Sequence, residues 1–211
     1  MTPVSVARMP FRNRVAPTGE IIATSARGTL MGNRGILHDA ERRIVRDAQV
    51  RRWIACRLEF RGRHRVVMSP GTYTELFFLD EATAFAAGHR PCAECRHADY
   101  RTFQEVWRSA VDSDTAADAM DAILHIERRV RPWVKRTFNA DVASLPDGTC
   151  IALDGQAWLV RRAALLEWSP EGYRNRRDRV MSGDVTVLTP PSLVAVLRAG
   201  YPIDTHPSAE N

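Results

Sequence analysis

Lysine is nearly absent from this chain of 211 residues: Lys135 is the single lysine among thirty basic side chains. The net charge of +5 and the pI near 9.4 are therefore almost wholly the work of arginine. Guanidinium is a planar fork of donors that matches phosphate, so an anionic partner such as nucleic acid fits, although a GC-rich coding sequence produces the same bias. Cysteine is scarce as well. Four residues, Cys56, Cys92, Cys95 and Cys150, are too few for a disulfide-stapled scaffold, and two of them form a Cys-x-x-Cys pair that favours metal or redox use. No apolar run approaches the roughly eighteen residues that span a bilayer, and the arginine-bearing start has no apolar stretch behind it. A cytoplasmic protein without membrane contact is expected. The chain also lacks a Walker phosphate loop and a GxGxxG fingerprint.

What remains is ordinary globular material. Hydrophobic residues make up 45% and charged residues 26%, which argues against disorder, and the length suits one large or two small domains. Residues 1–20 carry Pro3, Pro10 and Pro17 with Arg8, Arg12 and Arg14 and no apolar periodicity, so they read as a flexible basic arm. Residues 27–35 hold three glycines together with Arg27 and Arg34, and a turn-rich loop is expected there. Residues 53–60 and 73–79 read as strands. Residues 80–87 read as a short helix with Asp80 as N-cap, Glu81 in its first turn and Gly88 as stop. Two amphipathic helices are expected over 97–110 and 115–130. Beyond them, Asp154-Gly155 signals a hairpin between 149–153 and 156–160, 184–189 reads as a strand, and Pro190-Pro191 opens a helix that Gly200 ends. The tail to Asn211 reads as loose. The expectation is an α+β protein: an α+β region over 21–140, then a β-rich part over 141–211 that is separate or belongs to the same fold.

The sharpest chemical signal is Cys92-x-x-Cys95, directly after the short helix. Two thiolates at this spacing can face one metal, and zinc then takes two more ligands, for which Cys56, His64, His89 and His97 are the nearby donors. A redox pair or two packed thiols are the alternatives.

The stretch Phe77-Phe-Leu-Asp-Glu-Ala-Thr-Ala-Phe-Ala-Ala-Gly-His-Arg-Pro-Cys-Ala-Glu-Cys-Arg96, preceded by Trp53-Ile-Ala-Cys56-Arg57, resembles the zinc domain of the Ada family of DNA alkylation-repair proteins. The resemblance covers about residues 50–100. It implies a zinc module with a short sheet and helices, zinc on Cys56, Cys92 and Cys95, a DNA partner, and Cys56 as the sulfur that accepts a methyl group from a DNA phosphotriester. The sequence departs from the family at Phe60, where a fourth cysteine is expected, which leaves the fourth position to His64 or to water. Neither the family's Pro-Cys-His-Arg methyltransferase motif nor a clear helix-turn-helix is present.

These readings converge on a zinc-containing nucleic-acid-binding protein connected with DNA repair or processing. Arg27, Arg34, Arg51, Arg52, Arg57, Arg61, Arg63 and Arg65 are the candidate phosphate contacts. Three alternatives stand beside it: a zinc-stabilised enzyme on DNA or a nucleotide, with His38 and Asp39 in acid-base roles; a methyl acceptor using Cys56; and a structural or protein-interaction zinc module. Glu75, Asp80, Glu81 and the His125-x-Glu127 pair are further acid-base candidates, each with a structural explanation. Cys150 reads as a small buried apolar residue, and the five tryptophans as core or as base-stacking platforms.

Overall fold

The computed structural model describes residues 9–63, 66–179 and 182–210. The chain is an α+β protein whose C-terminal part is rich in strand. The first sheet is built from β1 (Arg12–Val15), β2 (Ile21–Ala23), β3 (Leu30–Asn33), β4 (Ile54–Arg57), β5 (Leu76–Phe78) and β6 (Arg90–Pro91), in the order β2-β1-β5-β3-β4-β6. Its β1·β5 and β4·β6 pairs are parallel and the others antiparallel. The helices are α1 (Glu81–Ala86), α2 (His97–Ala110), α3 (Ala117–Arg128) and α4 (Pro191–Arg198). A small hairpin, β7 (Arg129–Arg131) and β8 (Val134–Lys135), follows α3. The second sheet comprises β9 (Phe138–Asp141), β10 (Cys150–Leu153), β11 (Gln156–Arg161), β12 (Ala164–Ser169), β13 (Gly172–Asp178) and β14 (Asp184–Val187), antiparallel throughout in the order β13-β12-β11-β10-β14-β9.

Alternation along the first sheet positions everything that follows. Leu30, Ala55, Leu76 and Phe78 turn one way and pack with Ala84 and Ala87 from α1 and its C-terminal end. Their neighbours Met31, Ile54 and Cys56 turn the other way and gather around the sulfurs. Residues 27–35, expected as a glycine-rich loop, contain β3 instead. Gly32 is there because its two neighbouring strands leave no room: a Cβ would sit 2.5 Å from the Phe78 ring and 2.6 Å from the Ile54 carbonyl.

The short helix α1 is the hinge pin between the two sheets. Asp80 caps it by accepting from Thr83 N at 2.8 Å, and also accepts from Thr83 Oγ1, Tyr173 Oη and His206 N. Glu81 accepts from Tyr201 Oη and Asp204 N and pairs with Arg96 at 2.7 Å. These two carboxylates dock the C-terminal tail, so the loose segment expected after Gly200 is pinned, with Tyr201 and Ala209 buried. Burial pushes both carboxyls up, and the donors around them, with Arg96 for Glu81, pull back. Cys150 is fully buried as expected, its Sγ 3.8 Å from the Ala82 carbonyl.

The basic arm needs a correction. Residues 12–15 pair as β1 with Asn13 and Val15 buried, and Arg12 and Arg14 donate to the carbonyls of Ile21 and Ala26. Arg8 lies outside the described residues. The Asp154-Gly155 hairpin forms with both residues at positive φ, as its turn type requires.

Candidate metal centre

Cys56 is delivered by the outward register of β4, and Cys92 and Cys95 by the turn that leaves β6 and enters α2. β4 and β6 are adjacent and parallel, so Cys92 N donates to the Ala55 carbonyl at 2.9 Å and sets the pair directly beside Cys56. The three Sγ atoms lie within 4.8 Å of one another, and each cysteine is largely buried. Two thiolates on one tetrahedral zinc, each at ~2.3 Å, stand roughly 3.8 Å apart, a spacing that falls within this limit.

Hydrogen bonds from Cys56 and Cys95 push Cys92 down, and the bond to Cys92, the bond to Cys95 and burial push Cys56 up. The backbone N–H of Arg57 also donates to Cys95 Sγ, at 3.4 Å. Protons on these thiols must leave before a cation can bind, so metal affinity would rise with pH.

The sulfurs line a cavity of about 330 Å³. Phe60, standing where a fourth cysteine is expected, packs against the cluster. Glu75 lines the same cavity, 3% exposed; its Oε2 accepts from Met68 N at 2.8 Å, and its Oε1 has no hydrogen-bond partner among the described residues. His64, a proposed fourth ligand, lies outside the described residues, as does Arg65.

The chain matches no family model, no curated protein and no solved structure. No comparison bears out an Ada-type domain, and what the structure supports is a three-sulfur cluster close enough to hold a metal ion.

The candidate phosphate contacts divide sharply. Arg57 and Arg63 line the cysteine cavity, and Arg61 and Arg63 stand over the Phe60 ring at 4.9 and 5.4 Å. Arg63 also pairs with Glu94 at 2.8 Å. Arg27, Arg51 and Arg52 are exposed elsewhere. Arg34 does not belong with them: it is 1% exposed and turned to the other side of the sheet, away from the cysteine cavity.

His38 and Asp39 are similarly engaged. The His38 ring bonds Thr74 Oγ1 at 2.6 Å through Nδ1 and the Ser69 carbonyl at 3.2 Å through Nε2, so both nitrogens are occupied and the ring ties a loop. Asp39 accepts from the N–H groups of Glu41 and Arg43 and from the Arg43 side chain, which holds its carboxyl below the usual range. Neither residue lines the cysteine cavity. His89, another nearby donor, is buried on the opposite side of the sheet between Trp53 and Phe78. Glu127 is bonded to Ser192 through both oxygens.

Proposed function

We propose that the chain is a zinc-thiolate protein that binds nucleic acid on the face around its three cysteines. The observation that carries this reading is the convergence of Cys56, Cys92 and Cys95 within one ligand sphere, rimmed by exposed Arg57, Arg61 and Arg63. Three thiolates select a soft or borderline divalent ion, and zinc suits a tetrahedral site of this kind. The fourth position belongs to His64, to water or to a ligand group entering the cavity. When bound, the ion would fix the turn between β6 and α2 and polarise whatever occupies that position. The chain's own residues do the rest. Arginines offer forks to phosphate, and Phe60 presents an aromatic face beside them.

The test has two parts. Elemental analysis should find about one zinc per chain, lost in Cys92→Ala. Fluorescence anisotropy with labelled DNA should show affinity that falls steeply as salt rises. Absence of any binding at low salt, with zinc in place, would leave a structural or protein-interaction module.

A second reading is favoured by the place of Cys56, 7% exposed, on the wall of the 330 Å³ cavity beside Arg57 and Arg63. In that reading Cys56 accepts a methyl group from a DNA phosphotriester: sulfur forms a bond to the methyl carbon, the phosphate oxygen leaves as the diester anion, and no redox partner is needed. Incubation with methyl-phosphotriester DNA followed by mass spectrometry should add one methyl to Cys56, and an unmodified Cys56 dismisses it.

A further inference from the structure

The face of the first sheet turned away from the cysteines holds a second cavity, of about 360 Å³. Strand alternation sends Arg34 and Trp53 to this side while Asn33 and Ile54 line the sulfur side, and the two cavities share no lining residue. The wall collects four cations: Arg34, Arg128, Arg129 and Lys135, the chain's single lysine. Against them stand two carboxylates. Glu20 is exposed, and Asp47 is committed to Arg129 at 3.4 Å and to Trp133 N at 2.9 Å. Asp121, whose charge also acts on Arg128, is gripped by Arg90 through two bonds of 3.0 and 2.7 Å.

Arg34 and Arg128 are 1% and 2% exposed, and their hydrogen-bond partners are all neutral, with the carboxylates of Asp47 and Asp121 acting on them without a direct ion pair. Arg34 donates to His89 Nε2 at 3.3 Å and, at 3.3 and 3.5 Å, to the carbonyls of Gly19 and Asp47. Arg128 donates to the carbonyls of Gly88 and Arg51. Both guanidinium carbons stand 4.0 Å from the centroid of the Trp53 ring. Lys135 Nζ donates to the Ala86 carbonyl. Arg34 Nη2 and Arg128 Nε have no hydrogen-bond partner among the described residues.

The carbonyls at the C-terminal end of α1 explain where Arg128 and Lys135 point. They do not balance the charge, since a six-residue helix presents only a fraction of one elementary charge at that end. Guanidinium cannot shed its proton, and a buried charge without a counter-charge is strongly destabilising. We infer that this cavity binds a phosphate monoester, the phosphate set among Arg34, Arg128 and Lys135 and the organic part against Trp133.

Size and rim decide between a bare ion and a larger ligand. The volume falls at the lower end of the ~300–1,000 Å³ typical of small-molecule sites, far more than a lone phosphate fills. Trp133 is 53% exposed at the mouth and held at φ +65, a backbone conformation rare for a bulky residue and often kept for a binding role. A planar group attached to the phosphate can stack there.

The experiment titrates the zinc-loaded full chain with adenosine monophosphate, adenosine and inorganic phosphate, following tryptophan fluorescence and heat. The monophosphate should bind at least about tenfold tighter than adenosine, because the phosphate supplies the charge. Lys135→Gln should weaken the monophosphate about tenfold or more with zinc content unchanged, and Trp133→Ala should weaken the monophosphate but not inorganic phosphate. If Lys135→Gln fails to fold, Arg129→Gln on the half-buried wall carries the same test. A 5′-phosphorylated oligonucleotide that outcompetes the monophosphate identifies a nucleic-acid end as the source, and the reverse order identifies a free nucleotide. Failure of all phosphate-bearing probes to bind up to about 10 mM, or equal binding to wild type and both charge variants, overturns the inference. Loss of zinc in Cys92→Ala, without loss of monophosphate binding, keeps this site distinct from the metal centre.

Discussion

The two faces of the first sheet handle ionisable groups in opposite ways. On one face three thiols stand together, and a thiol can stay neutral by keeping its proton until a metal takes the proton's place. On the other face Arg34 and Arg128 are charged whatever is bound, because guanidinium stays protonated even where burial and neighbouring cations weaken its hold. The sulfur face defers the cost of its site until the ligand comes. The cation face bears that cost continuously, and this permanence is why an excess of buried positive charge points to a counter-ion. One sheet separates the two by nothing more than the alternation of Arg34 with Asn33 and of Trp53 with Ile54.

Removing the metal should produce the largest effect. Cys92→Ala takes away one sulfur of the cluster, and the chain should lose the zinc proposed for it and about 4 kcal/mol of stability, roughly 10 °C in thermal midpoint. Metal-free wild type should retain its far-ultraviolet circular dichroism, since the sheet is held by ladders that do not involve the sulfurs. An unfolded metal-free chain would break the comparison, because the sulfur face would then be no less costly when empty than the cation face.

Next comes the anchor beneath the cation face. Asp80→Ala strands four donors, those of Thr83 N, Thr83 Oγ1, Tyr173 Oη and His206 N, and should destabilise the chain by about 3 kcal/mol on urea unfolding. Zinc content should be unchanged. A parallel loss of zinc would show that the two faces communicate through α1.

Lys135 sharpens the contrast with a change of sign. Burial first, and then the charge of Arg34, hold its ammonium down to about 7, with Cys150 pulling the other way and Arg128 adding to the depression. Its unfolded value is 10.5, so the folded chain disfavours the protonated form. Stability without phosphate should therefore be flat below pH 7 and rise between pH 7 and about 10, where the unfolded chain binds the extra proton. Lys135→Met should abolish that rise. In phosphate-free buffer near neutral pH it should also match or exceed wild type by about 1 kcal/mol, and in saturating adenosine monophosphate it should fall below it. Curves that do not cross would mean that the ammonium is no more than a cap on the carbonyls of α1.

Much of the sulfur face was legible in the sequence and almost none of the cation face. Cys92 and Cys95 declare themselves by residue type and spacing, and Cys56 only by the resemblance of Trp53-Ile-Ala-Cys56-Arg57 to the first half of an Ada-type zinc domain. Arg34, Arg128 and Lys135 come from three segments, and each looks like any surface cation until the strands are paired. Arg34 was misassigned to the exterior for that reason. Its neighbours Gly32 and Gly35 suggested a loop, whereas Gly32 is required by the closeness of Phe78 and Ile54 in a sheet. In the C-terminal part β13 was missed because Arg174, Asn175, Arg176, Arg177 and Asp178 are all exposed and polar, without the apolar alternation that marks a half-buried strand. The tail was read as loose because its anchors, Asp80 and Glu81, lie more than a hundred residues earlier.

The smallest structural effect belongs to Arg63, and it tests the outer rim of the sulfur face. Its side chain and that of Glu94 are both about half exposed, so their 2.8 Å ion pair is screened by water and contributes less than about 1 kcal/mol. Arg63→Ala should therefore leave the thermal midpoint nearly where it was. DNA affinity should nevertheless fall, and the dependence of log affinity on log salt should become shallower by about one, because one phosphate contact and its released counter-ion are gone. Monophosphate binding in the opposite cavity should not change. An unaltered salt slope would remove Arg63 from the nucleic-acid surface and leave Arg57 and Arg61 to account for it. A change in monophosphate binding would mean that the sheet does not insulate one face from the other.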